Sequence, residues 1–237
     1  MKSKIDKVFS RSYITLAKKV FTAPDPRYEW DEIVAGIEVG SKCHSAVGIS
    51  TFRGFHRINT ASHGAKNVFV NYFLDNKTEL VGNLLRIRSR SELHKLSNRI
   101  CKRIKDKLRN IIRSDQLDSY NKIRKPIDLY VEYLSSMARE LDKVRSKLTP
   151  LLFLPLDSQI ISDKALFSDD ELGDHGLSRK STYKDVTSES AYRALQGLVR
   201  RKSEAMPAHS RVYPIYFDLL WNKRYRNNGR NLFKINT

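Results

Sequence analysis

Two residues in this 237-residue chain combine type and placement in a way that suggests covalent chemistry. Lys125 stands in Arg124-Lys125-Pro126-Ile127-Asp128-Leu129-Tyr130, and Asp157 in Leu154-Pro155-Leu156-Asp157-Ser158-Gln159-Ile160. A lysine is ordinarily cationic and becomes a nucleophile only as the neutral amine, which desolvation, nearby positive charge or a helix N-terminus favours. Pro126 suits the first position of a helix, so the sequence predicts a helix opening there with Lys125 at its mouth. Lys122 and Arg124 would add positive charge beside it. Such an amine can attack C1′ of a nucleotide, displace the base and leave a Schiff base. The attack develops oxocarbenium character, which a carboxylate such as Asp157 can stabilise. Asp157 is also well placed as an N-cap, a role compatible with catalysis.

The segments that must position this pair read as helices. Leu93, Leu96, Ile100, Ile104, Leu108, Ile111 and Ile112 recur at three- and four-residue intervals from Ser91 onward. After a break at 114–120, a second helix is expected from Ile127 to about Lys147, ended by Thr149-Pro150. Residues 151–156 form an apolar connector. Further helices are expected over 4–20, through Trp30 and Ile33, over 188–206 and over 214–226. The glycine-containing stretch 39–64 has no clear period, and a short strand at 46–50 is one reading of it. The fold class is mainly α.

Composition narrows the partner. The formal net charge is +18 and the pI about 9.9, a balance that favours a polyanion, because neutralising phosphates releases condensed counterions. Residues 86–125 hold 14 Lys and Arg against 4 Asp and Glu, so more than half of the net charge sits in one sixth of the chain. Lys95, Arg99, Lys102 and Arg103 lie opposite the apolar face there, and with Lys122 and Arg124 they are candidates for the DNA backbone. Cys43 and Cys101 cannot build a disulfide framework or a four-cysteine zinc site. They read as reduced thiols of a cytoplasmic protein. No run approaches the roughly 20 apolar residues of a membrane span.

The stretch from Arg124 to Leu134, followed by Leu154-Pro155-Leu156-Asp157, resembles the lysine-to-aspartate segment of the helix-hairpin-helix DNA glycosylase superfamily. Its long interval is most similar to that of the archaeal 8-oxoguanine DNA glycosylases. The segment Tyr213-Pro214-Ile215-Tyr216-Phe217-Asp218-Leu219-Leu220-Trp221 looks like that family's closing helix. The resemblance covers roughly residues 105–226. It implies a two-subdomain helical fold with the active site in the cleft between subdomains, residues 1–104 forming a basic helical N-terminal part and 227–237 a tail. It implies Lys125 and Asp157 as the catalytic pair, and a base pocket formed by Pro155, Tyr130, Asp218 and Trp221. It also implies excision of an oxidised or otherwise modified base from double-stranded DNA, with strand cleavage, by a monomer needing no metal or cofactor. The sequence departs from the family where Leu117–Arg124 contains no glycine and where Leu129 replaces the aromatic one turn after the lysine.

Two other classes fit the composition. One is a basic helical protein that binds nucleic acid without chemistry. The other is a metal-dependent nuclease, for which Glu38-Val39-Gly40-Ser41-Lys42 is the nearest motif.

Overall fold

A computed structural model describes residues 10–59, 61, 63–205 and 212–220. The chain is mainly helical, with a single two-stranded sheet among the described residues. Helix α1 (Arg11–Thr22) starts at Ser10, whose hydroxyl accepts from the Tyr13 amide, and buries Ile14, Ala17, Val20 and Phe21. Helix α2 (Trp30–Ala35) leads into the antiparallel hairpin β1 (Ile37–Val39) and β2 (Lys42–His44), with Glu38 opposite Cys43. The strand considered at 46–50 does not form. Ile49–Phe52 is a 3₁₀ turn that packs Phe52 against Phe69. Helices α3 (Ala65–Asp75) and α4 (Lys77–Arg86) follow, and then α5 (Arg90–Leu108). The start of α5 is fixed by a capping box between Ser89 and Glu92. The predicted division at residue 104 falls inside α5.

Helix α6 (Tyr120–Met137) is the axis of the molecule. It packs against α1, α2 and α5 and against α7 (Arg145–Leu148) and α10 (Glu189–Glu204). Between the last two come α8 (Ser158–Ile161) and α9 (Asp169–Gly173). One hydrophobic core runs from Ile14 to Leu219 and includes both faces of α6.

The boundaries of α6 correct two expectations. The helix begins at Tyr120, so Lys125 lies inside it and Pro126 is an interior proline. Its N-terminus carries no side-chain cap. The Tyr120 and Asn121 amides instead donate to the Thr187 and Val186 carbonyls, 3.0 and 3.1 Å away, so a distant loop satisfies the orphan donors of the first turn. The helix also stops at Met137. Ala138 turns extended and forms a bridge to Tyr28, whose amide donates to the Met137 carbonyl at 3.1 Å.

A helix buried on every side must settle its polar residues internally. Arg124 and Asp128 do so as an i, i+4 pair, Nε to Oδ1 at 2.7 Å, with side chains 0% and 2% exposed. The Tyr192 hydroxyl on α10 donates to the other Asp128 oxygen at 2.7 Å. The Arg124 Nη1 reaches Asn98 Oδ1 on α5 at 3.1 Å, and its guanidinium stacks over Phe153 and Tyr192. Burial opposes the charge on Arg124, but Asp128 beside it holds the guanidinium pKa above the usual arginine range.

Removing one member of this pair leaves the other charged and unpaired in the core. Arg124→Met should therefore lower the unfolding free energy by about 3–5 kcal/mol, while Arg124→Met with Asp128→Leu should recover most of that loss. Urea denaturation of both variants measures the difference. Equal destabilisation of single and double variants would show that the pair does not act as a unit.

Candidate active site

Lys125 shares a stripe of α6 with Leu129, one turn on. Both line a pocket of about 300 Å³ whose other walls come from three separate parts of the chain. The connector and the start of α8 contribute Pro155, Asp157, Gln159 and Ile160. The 3₁₀ segment Pro214–Leu220 contributes Asp218, and the turn Ile49–Phe52 contributes Ser50 and Thr51. Four residues singled out from sequence, Lys125, Pro155, Asp157 and Asp218, thus meet in one place.

Each is held by its own local device. Asp157 is the N-cap of α8, extended at φ −116° and ψ 177°, and its Oδ1 accepts from the Ile160 amide at 2.9 Å. The other carboxylate oxygen is the one the pocket can use. Pro155 and Leu156 are fixed by hydrogen bonds on either side of them. The Leu154 backbone exchanges two hydrogen bonds with the Gln196 amide, and Asn121 Nδ2 donates to the Leu156 carbonyl at 3.0 Å. The 3₁₀ segment carrying Asp218 docks on α1, where the Tyr13 hydroxyl donates to the Tyr216 carbonyl at 2.7 Å and Phe21 stacks on Tyr216.

Burial pushes the Lys125 amine below the ordinary lysine value, while Asp157 and Asp218 pull it back up. The two further effects expected from sequence do not operate. The helix end lies at Tyr120. The Arg124 charge is spent on Asp128, and Lys122 points elsewhere. Lys125 Nζ instead sits 4.7 Å from the centroid of the Tyr183 ring, a cation–π contact with a residue that sequence spacing gave no reason to choose. Ser50, Thr51 and Gln159 were equally invisible, since each is an ordinary polar residue until the fold brings it to the wall.

Other assignments are corrected. Tyr130 is 0% exposed and stacks on Phe73 at 4.6 Å between ring centroids, away from the pocket, so Leu129 occupies the wall in its place. Arg124 is buried in its ion pair and presents nothing to a phosphate. Lys122 is 2% exposed, with Nζ donating to Gln116 at 2.8 Å and lying over Phe55. Burial first, and Lys184 second, lower its pKa to about 8, against Asp115. It is a second perturbed amine, but one sealed from any substrate. Lys95, Arg99, Lys102 and Arg103 are exposed along α5, and Arg103 pairs with Glu79 at 3.1 Å. Trp221 lies outside the described residues. Glu38 and Lys42 sit on the exposed hairpin. Among the described residues no group of three His, Cys, Asp or Glu is placed to hold a metal ion, and no helix is long and apolar enough to cross a membrane.

Comparisons with protein-family models, with curated proteins and with solved structures find no match to this chain.

The desolvated amine gives a direct test. Acetylation of Lys125 by a limiting amount of acetic anhydride, followed by mass spectrometry across pH, should titrate with a midpoint below the roughly 10.4 of an ordinary lysine. Asp157→Asn should lower that midpoint further, because it removes a charge that favours the ammonium form. A wild-type midpoint at or above 10.4 would contradict the pocket electrostatics.

Proposed function

We propose that the chain is a DNA glycosylase with associated lyase activity, acting on a modified base in double-stranded DNA. The observation that carries this reading is the convergence of the desolvated Lys125 amine with Asp157 and Asp218 around one pocket. Its volume lies at the small end of ligand sites, which run from about 300 to 1,000 Å³, a size suited to a single extruded nucleotide rather than to an extended polymer. In this proposal the pocket corresponds to the cleft of a two-subdomain helix-hairpin-helix enzyme, with the exposed cations of α5 holding the duplex.

In the first step the Lys125 Nζ lone pair forms a bond to C1′ and the glycosidic C1′–N bond breaks. The departing base keeps the bonding pair and takes up a proton. A proton then passes from Nζ to O4′ as the C1′–O4′ bond breaks and the Nζ lone pair forms the second bond to C1′, giving the protonated Schiff base. Loss of a C2′ proton with departure of the 3′ phosphate cuts the strand. The Asp157 carboxylate stabilises positive charge as it develops at C1′, an interaction stronger in the transition state than before it. Asp218, deeper in the wall, is suited to hydrogen-bond the polar edge of the extruded base.

The basic face of α5 favours a second reading, a protein that binds nucleic acid without chemistry. Borohydride trapping separates the two. With duplexes carrying a panel of modified bases, the wild type should form a covalent adduct that Lys125→Ala abolishes. Asp157→Asn is the sharper probe, because asparagine caps a helix as well as aspartate does and removes only the charge. It should keep the fold and slow base release by on the order of 10²–10³-fold. Binding without trapping across the panel would leave the second reading standing, and adduct formation unaffected by Lys125→Ala would remove Lys125 as the nucleophile.

A further inference from the structure

A second recess, of about 260 Å³, lies between the start of α5 and the middle of α10. Its walls include Arg90, Arg193, Arg200, His94 and Gln196, its floor is Phe153, and no carboxylate is among its described lining residues. The Lys125 pocket sets one cation against two carboxylates. This one is lined by three guanidinium groups and no carboxylate, with Glu204 and Glu189 held just outside it on Arg200 and His94.

The arginines are held in different ways. Arg90 lies 4.5 Å over the Phe153 ring, and its Nη2 donates to Gln196 Oε1 at 3.1 Å. Its Nε is buried and makes no hydrogen bond to any described residue. A buried N–H without an acceptor is costly unless something else supplies one. Arg200 commits Nε to Glu204 at 2.6 Å, which leaves its terminal nitrogens for the recess. Arg193 is exposed and forms no ion pair among the described residues. Burial lowers the Arg90 pKa and Arg200 pushes it further down, while Tyr192, Asp128 and Glu204 pull it back up. Arg90 and Ser91 are also the first two residues of the 19-residue α5, whose N-terminal dipole adds positive potential.

We infer that this recess binds a phosphomonoester group, received by the guanidinium forks of Arg90, Arg193 and Arg200. Guanidinium groups match phosphate oxygens in paired hydrogen bonds. With Arg200 already paired with Glu204, a dianion matches the charge of the remaining two arginines better than the single charge of a phosphodiester. Phe153 lies 8% exposed beneath the Arg90 guanidinium, and the recess around it favours a projecting terminal phosphate over one held within a regular duplex backbone. Two sources carry this chemistry, the phosphorylated end of a nucleic-acid strand and a free mononucleotide.

The test uses the full chain and a short single-stranded oligonucleotide labelled at its 3′ end, with either a 5′-phosphate or a 5′-hydroxyl. Fluorescence anisotropy at fixed salt should show the phosphorylated strand binding more tightly, by on the order of tenfold. Arg193→Glu and Arg200→Ala, both exposed positions, should each erase that preference without changing the circular dichroism spectrum. Competition by AMP but not by adenosine would support the site and show that a mononucleotide suffices. A phosphate preference that AMP does not compete would support it and assign the strand end. Equal binding of the two strands, or a preference that survives the Arg193→Glu/Arg200→Ala double variant, overturns the inference. No damaged base is involved and Lys125→Ala should behave as wild type, so the result is independent of the glycosylase reading.

Discussion

The position of every functional group on α6 depends on the buried ion pair between Arg124 and Asp128. Close packing of its apolar side chains and this buried pair together fix the rotation of α6 about its axis. Asp128 is tied to α10 through Tyr192, and Arg124 to α5 through Asn98 and to the connector through Phe153. With Arg124 locked inward, the next residue points about 100° further round, since an α-helix has about 3.6 residues per turn. That is how Lys125 comes to face the pocket and Leu129, one turn later, comes to share it. The interior proline costs the Lys122 carbonyl its usual helical donor, and the dense packing around α6 keeps the helix continuous through it.

The pocket and the rest of the surface follow opposite electrostatic rules. The protein as a whole is strongly cationic, which suits long-range attraction of a polyanion. Inside the pocket, however, two carboxylates oppose one amine. Desolvation makes the Lys125 ammonium costly, while Asp157 and Asp218 restrain how far its pKa falls. The outcome is an amine whose pKa is lowered by burial and restrained by the two carboxylates beside it. Had the helix dipole and the neighbouring cations also acted, the pocket would carry a more positive potential and the Lys125 pKa would fall further.

Charge is also sorted within the basic stretch 86–125. Lys95, Arg99, Lys102 and Arg103 remain on the outer face of α5, Lys122 and Arg124 are internal, and Arg90 turns into the recess over Phe153. The connector 152–157 touches both concavities, with Phe153 flooring the recess while Pro155 and Asp157 wall the pocket. Gln196 holds it through two hydrogen bonds to Leu154 and also contacts Arg90.

The sequence by itself determined the helical class, the amphipathic run of α5, the N-cap role of Asp157 and the basic character of the chain. These rest on interactions within a few residues, and such interactions leave a pattern in spacing and composition. It also picked out Lys125, Asp157, Pro155 and Asp218, which share the pocket in the structure. Tertiary structure decided what local patterns could not carry. The first turn of α6 is satisfied by carbonyls of residues 186 and 187, so no nearby residue marks the start, and Pro126, a residue type that suits a helix opening, lies inside the helix. Tyr130, Lys122 and Arg124 have the residue types of a binding site but face the core, because the rotation of α6 is set by partners on α5 and α10. Ser50 and Thr51 reach the pocket, and Tyr183 reaches Lys125, from distant segments, and only the packing of those segments around α6 brings them there.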